Sequence, residues 1–193
     1  TWDGSSSTDW NTTANWSTNS VPTSSDDVII PDVTNDPVLS SSSDVCKDMT
    51  IQNGAILTSN NSSYKLTASS ITVNDGGSLV ISNGDVEITG TSDINGILEI
   101  GTGTFDANGT FDATDGSVTF SDAGRLELAG TVTSLGTLTE LTGTVEYNGG
   151  TQNTEATGCY STSSTWEPRD EVKGDVARII FYMVVRYEGE NGE

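Results

Sequence analysis

Carboxylates are the groups in this sequence best placed to do chemistry. There are 28 Asp and Glu against seven Lys and Arg, with no His, giving a formal charge of −21 over 193 residues. Several carboxylates recur at short spacing: Asp26-Asp27, Asp32 with Asp36, and Asp112 with Asp115, with Glu127 and Glu140 beyond. Two carboxyls can cleave a glycosidic bond when burial raises the pKa of one, so that it acts as the acid. No flanking run here supplies an apolar pocket for one member, so no catalytic residue is expected. Asn74-Asp75-Gly76 and the stretch from Asp112 to Gly116 carry oxygen ligands that suit calcium. Neither completes a calcium-loop spacing, and both fit ordinary turns, so no metal site or cofactor is expected, calcium being the weak exception. The absence of histidine removes Ser-His-Asp, Cys-His and His-zinc chemistry from the chain. The acidic surface repels phosphate backbones, so nucleic-acid binding by most of the length is not expected.

Trp2, Trp10 and Trp16 lie close together in the polar stretch 1–25. They suit either of two roles: sealing the first turn of a repeating array, or stacking on sugars. Cys46 and Cys159 are far apart, and the sequence leaves open whether they pair. No apolar run approaches the ~20 residues of a membrane span. Thr1 opens without a basic, apolar leader, so a signal peptide is expected to have been removed.

The elements that would position these residues are visible in 26–150. Short alternating segments follow Gly or Asn/Asp-Gly turns, among them Gly77-Ser78-Leu79-Val80-Ile81, Gly96-Ile97-Leu98-Glu99-Ile100 and Gly124-Arg125-Leu126-Glu127-Leu128. Period-two alternation sends Leu79 and Ile81 to one face and Ser78 and Val80 to the other. Leu57, Leu79 and Leu98 recur at about 20 residues, the self-similarity a solenoid requires. A strand of four or five residues cannot bury its apolar side alone, and stacked coils solve this by building a thin continuous core. The expected fold is therefore all-β: a right-handed parallel β-solenoid (β-helix) of roughly five or six coils, with Gly and Asn taking positive φ at its corners. An antiparallel β-sandwich is the competing arrangement. The interval lengthens from Leu98 to Leu126 and shortens to Leu138, which implies coils of unequal length or a local change of phase. The repeated threonines Thr131-Thr133 and Thr137-Thr139 are too irregular in this register for a flat hydroxyl ladder.

From 151 the character changes. Residues 151–165 are polar and read as a linker. Over 166–193, Val172, Val176, Ile179, Ile180, Met183 and Tyr187 fall on one helical stripe, Pro168 suits a first turn and Gly189 a stop. A C-terminal α-helix is expected, covering the last coil or a neighbouring molecule.

Two resemblances follow. Thr1-Trp2-Asp3-Gly4, Asp9-Trp10-Asn11, Ala14-Asn15-Trp16-Ser17 and Asp26-Asp27-Val28-Ile29-Ile30-Pro31, with the array behind them, resemble β-solenoid regions of secreted surface proteins of Bacteroidetes-type bacteria, over 1–150. Within 159–193, Trp166-Glu167-Pro168, Lys173-Gly174-Asp175-Val176-Ala177-Arg178 and Phe181-Tyr182-Met183 are similar to part of the endonuclease I family of secreted nucleases. That likeness implies a ββα-metal-type nuclease in which a divalent cation and a histidine base cleave phosphodiesters. The family's catalytic histidine has no counterpart here, and the region where it would lie is repeat array, so no nuclease activity is expected from the chain alone. The first expectation for function is thus a non-enzymatic extracellular or cell-surface module, a stalk, adhesin segment or fibre subunit that assembles end to end or meets a glycan or cell-surface partner. The alternatives are a fragment of a secreted endonuclease I-like nuclease and a carbohydrate-binding module.

Overall fold

The computed structural model describes residues 1–148 and, beyond them, Thr151–Gln152, Tyr160–Ser161 and Trp166–Glu167. The chain divides into two compact units, Thr1–Gly149 and Gly150–Glu193.

The first unit is a parallel β-solenoid of about six coils. The first coil holds β1 (Val28–Ile30) and β2 (Asp44–Val45), the second β3 (Asp48–Ile51) and β4 (Ile56–Ala68), the third β5 (Ser70–Val73) and β6 (Ser78–Ile88). The fourth holds β7 (Ser92–Ile94), β8 (Ile97–Ile100) and β9 (Thr104–Ala107), the fifth β10 (Phe111–Asp112), β11 (Ser117–Phe120) and β12 (Arg125–Leu128). The sixth holds β13 (Val132–Ser134), β14 (Thr137–Thr139) and β15 (Thr144–Tyr147). One six-stranded sheet runs β1-β3-β5-β7-β10-β13. The nine-stranded sheet has two arms, because β4 and β6 are long enough, at 13 and 11 residues, to serve both. The first half of β6 pairs with β8 and its second half with β9, both parallel.

Alternation decides which side chains enter the core. In the first arm the register Leu57↔Leu79↔Leu98↔Val118↔Leu138 stacks one inward column, buried as far as Val118 and half-buried at Leu138. In the second arm Leu66↔Val86↔Phe105↔Leu126↔Val145 stacks another. The six-stranded sheet adds Val28↔Met49↔Ile71↔Ser92↔Phe111↔Val132. Each fully buried Leu, Ile or Phe contributes about 1.5–3 kcal/mol of transfer free energy, so the columns sustain the rod even though only 33% of residues are hydrophobic.

This register resolves the uneven interval as a change of column and not as a large change of coil length. The residue above Leu98 is Val118, and Leu126 belongs to the other arm, above Phe105. Two leucine columns of identical chemistry had merged into one irregular series. Within a column the interval stays between 19 and 22 residues, as from Leu57 to Leu79 (22) and from Leu79 to Leu98 (19).

The corners match expectation in part, with Gly54, Gly76, Gly84 and Gly136 at positive φ. Gly77, Gly96, Gly116 and Gly136 form one column, Gly84, Gly103 and Gly124 a second, and Gly90, Gly109 and Gly130 a third. Within these columns only Gly84 and Gly136 have positive φ, at +86° and +63°. The others are required by close approach: a Cβ on Gly109 would overlap the Gly90 carbonyl, and one on Gly130 the Gly109 carbonyl. Glycine at each corner lets successive coils close at sheet spacing.

Three inward strand positions break the apolar rule, Asp44, Ser59 and Ser92, and of these Ser59 donates to the Asn83 carbonyl at 2.7 Å. Ser92 is fully buried between Ile71 and Phe111, and its Oγ has no hydrogen-bond partner. An unpaired buried hydroxyl costs about 1–3 kcal/mol. Ser92→Ala is expected to stabilise the unit by about 1 kcal/mol, read as a raised midpoint of urea unfolding. A lowered midpoint would show that the hydroxyl is satisfied in solution.

In the second unit, β16 (Thr151–Gln152), β17 (Tyr160–Ser161) and β18 (Trp166–Glu167) pair antiparallel in the order β16-β17-β18. The expected linker over 151–165 therefore contains strand at both described pairs, and the expected C-terminal helix does not begin at Trp166, which is extended opposite Ser161. The helical stripe from Val172 to Tyr187 lies outside the described residues. Among the described residues there is no α-helix, only a 3-10 turn at Thr13–Asn15, and no helix long and apolar enough to cross a membrane.

Candidate functional site

At its N-terminal end the rod is closed. Trp2 bridges Trp16 in antiparallel fashion, and Asp9 pairs with Val38, itself paired with Thr58. The 3-10 turn brings the three indoles together. Trp16 meets Trp2 edge-on at 5.0 Å between centroids and Trp10 edge-on at 4.7 Å. Trp16 Nε1 donates to the Trp10 carbonyl at 2.8 Å, and Trp2 Nε1 to the Asn35 carbonyl at 2.8 Å. Exposures of 0%, 0% and 2% for Trp2, Trp10 and Trp16 leave no ring face for a sugar.

Beside this cap sits a buried carboxylate that sequence reasoning passed over. Asp44 accepts hydrogen bonds from Asn11 Nδ2 at 2.8 Å and from the Ser40 and Ser41 amides, both at 3.0 Å. Burial pushes its pKa up against those bonds, and the neighbouring Asp9 charge adds to the rise. Asp9 itself is held low, first by the Ser40 hydroxyl and then by the Asn11 amide. Both groups are consumed in fixing the loop 40–44 to the cap.

One member of each Asp pair singled out from sequence is likewise occupied. Asp26 takes both the hydroxyl and the amide of Thr23, which lower its pKa. Asp112 takes the hydroxyl and amide of Thr114, again lowering it. Asp36 is raised, first by burial, then by the Asp32 charge, against a lowering bond from the Ile56 amide. These carboxylates cap turns, which is why acids follow the corners of the repeat.

The outward columns differ sharply in charge. Over five rungs, the second arm presents Lys65, Asp85, Thr104, Arg125 and Thr144 in one column. Its other column is Thr67, Glu87, Asp106, Glu127 and Glu146. Lys65 Nζ reaches Glu87 at 2.8 Å, and Arg125 bridges Glu127 at 3.2 Å and also contacts Glu146. A shallow hollow of about 220 Å³ lies here, lined by Lys65, Asp85, Glu87, Thr104, Asp106 and Glu127. Stacked like charges one rung apart repel, and the two cations are placed where they relieve that repulsion. Over the same rungs the first arm presents Ile56, Ser78, Ile97, Ser117 and Thr137 beside Thr58, Val80, Glu99, Thr119 and Thr139. Glu99 is the single charge among those ten positions.

Cys46 is a buried free thiol, its pKa pushed up to about 12, chiefly by burial and then by Asp48 and Asp27. That makes it an inert core residue. Cys159 lies outside the described residues.

Two family models match the chain. The model described as a domain of unknown function, DUF8693, covers residues 1–125, and that described as Endonuclease I covers 130–191. The chain belongs to the DUF8693 family. In this DUF8693 member the family match takes in the cap and nearly five of the coils. The Endonuclease I match begins on the sixth coil, where Val132, Leu138 and Val145 still stack on Phe111, Val118 and Leu126. Extracellular ribonucleases of Bacillus subtilis (strain 168) and Bacillus amyloliquefaciens are each 62% identical over 43 residues, 22% of this chain and 15% of the relative. The DUF8693 chain thus spans a small part of the length of the curated relatives it matches. No solved structure gives a significant match.

Of the residues singled out for their likeness to endonuclease I, Trp166 and Glu167 are placed on β18. Pro168, Lys173, Gly174, Arg178, Phe181, Tyr182 and Met183 lie outside the described residues.

Proposed function

We propose that the chain is a non-catalytic β-solenoid carrier joined to part of an endonuclease I-type secreted nuclease. The observation that carries this reading is the 62% identity over 43 residues to two extracellular ribonucleases, supported by the Endonuclease I match over 130–191. The reading places the protein outside the cell, as those relatives are.

Hydrolysis of this kind needs a base to take the proton from water and a divalent cation on the phosphate. The likeness to the family assigns the base to histidine, and the 193 residues contain none. Among the described residues no group of three or more Cys, Asp or Glu is placed to hold a metal ion. The described residues thus offer no donor set for the cation. What the nuclease-like segment retains is a group of cations among acids: Arg169, Lys173, Arg178 and Arg186 are four of the seven basic residues, interspersed with seven Asp and Glu over 166–193. Those cations can hold a phosphate backbone that the solenoid repels. The solenoid contributes reach and solubility through hydrogen-bonded coils with polar outer faces.

Anisotropy of a labelled RNA oligonucleotide with the full chain and Mg²⁺, followed by gel analysis, tests this. The expected result is salt-sensitive binding without cleavage, weakened about 10-fold or more when the four cations are replaced by Gln. Cleavage that survives repurification would contradict the non-catalytic assignment. Absence of binding at low salt would contradict the nuclease-derived role.

A further inference from the structure

We propose that the first arm of the nine-stranded sheet is a docking face for a neutral, insoluble polysaccharide. The inference uses only the solenoid and does not depend on the nuclease-like segment. On a chain of charge −21, seven of ten outward positions of the second arm are charged, whereas the first arm carries Glu99 alone. Its remaining side chains are small hydroxyls and aliphatics, with Ile56 39% and Ile97 44% exposed. Parallel pairing stacks the rungs at ~4.8 Å, and four of the five present a hydroxyl, Thr58, Ser78, Ser117 with Thr119, and Thr137 with Thr139.

Charge selects the occupant. A polyanion is repelled by the solenoid, and a polycation is drawn to the acidic second arm, so the neutral face suits an uncharged partner. Size argues against a second copy. Five rungs of about three residues measure roughly 24 Å by 10 Å, near 250 Å² per partner at sheet spacing. A stable protein pair buries about 800 Å² per partner, and two such anions also repel. A polysaccharide surface offers hydroxyl edges and C–H faces matching this mixture. It also presents many equivalent sites, so a small contact suffices for retention.

The full chain is mixed with particles of cellulose, chitin and curdlan at ~0.15 M and ~0.5 M NaCl, and the bound fraction measured. Retention on at least one polymer, little changed by salt, is expected. The double variant Ser78→Asp, Ser117→Asp, shown by circular dichroism and melting to be folded, is expected to bind at least ~10-fold more weakly. The second-arm variant Asp85→Asn is expected to bind as the parent does. No retention on any of the three polymers would overturn the proposal, as would retention the double variant leaves intact. Sedimentation velocity supplies a further arm: concentration-dependent dimers abolished by the double variant would assign the face to a second copy instead.

Discussion

Phe105→Ala is expected to destabilise the solenoid by about 3–5 kcal/mol, the range for removing a buried aromatic from a packed core. Phe105 is fully buried, stacked between Val86 below and Leu126 above. Its ring also meets Phe111 at 6.1 Å with an interplanar angle of 72°, an edge contact worth about 0.5–1.5 kcal/mol beyond area. The alanine leaves a void in a thin core enclosed by three sheet faces, whose neighbours cannot collapse without breaking sheet register. For a domain of this size the loss corresponds to a fall in Tm of roughly 10 °C. Coils interact mainly with their nearest neighbours, so a weak middle rung is expected to uncouple the array, and the melt should broaden or split into two transitions. A sharp melt within a degree or two of the parent's would show that Phe105 is not interior.

Trp16→Ala is expected to have an effect of similar size at the N-terminal end. Trp16 is the middle ring of the cluster, edge-on to both Trp2 and Trp10, and it donates to the Trp10 carbonyl. Its removal costs about 3–5 kcal/mol and uncovers the first coil, whose free strand edges are templates for another chain. Thermal melting and light scattering should therefore show a lowered Tm together with time-dependent aggregation. If Trp16 served instead as an exposed sugar platform, the variant would keep its stability and lose only glycan binding.

Much of this was legible in the sequence, for a physical reason. Leu57, Leu79 and Leu98 keep their identity in successive coils, so their spacing exposes the repeat directly. The merging of Leu98 with Leu126 shows where that legibility stops. Val118 occupies the true next rung, and a leucine from the adjacent column stood in for it. Period-two alternation says which side is inward but not which of two arms a strand joins. That assignment depends on β4 and β6 turning a corner without ending. The acidic column of Glu87, Asp106, Glu127 and Glu146 and the neutral first arm were hidden for the same cause, since each is a property of register across coils. Asp44 escaped notice because its burial comes from the cap folding back on the loop 40–44, a contact between segments distant along the chain. The glycine corners were anticipated by position but only in part by mechanism. Close approach of stacked carbonyls requires them, while positive φ does so at only a few. Trp2, Trp10 and Trp16 were visible as a group, and their geometry shows all three turned inward. The likeness to endonuclease I rested on residue identities, which need no fold to be read.

The parallel coil is tested most directly by distances along one outward column. In a background of Cys46→Ala and Cys159→Ser, spin labels are placed at Val38 with Thr119, and at Val38 with Thr139, and the separations measured by pulsed electron resonance. Val38 and Thr119 are four rungs apart through Thr58, Val80 and Glu99, and Thr139 is one rung further. At ~4.8 Å per rung the expected backbone separations are ~19 Å and ~24 Å, so the second distance should exceed the first by about one rung. Equal distances, or a shorter one to Thr139, would mean that the strands do not stack in parallel sequence, and the solenoid account would fail.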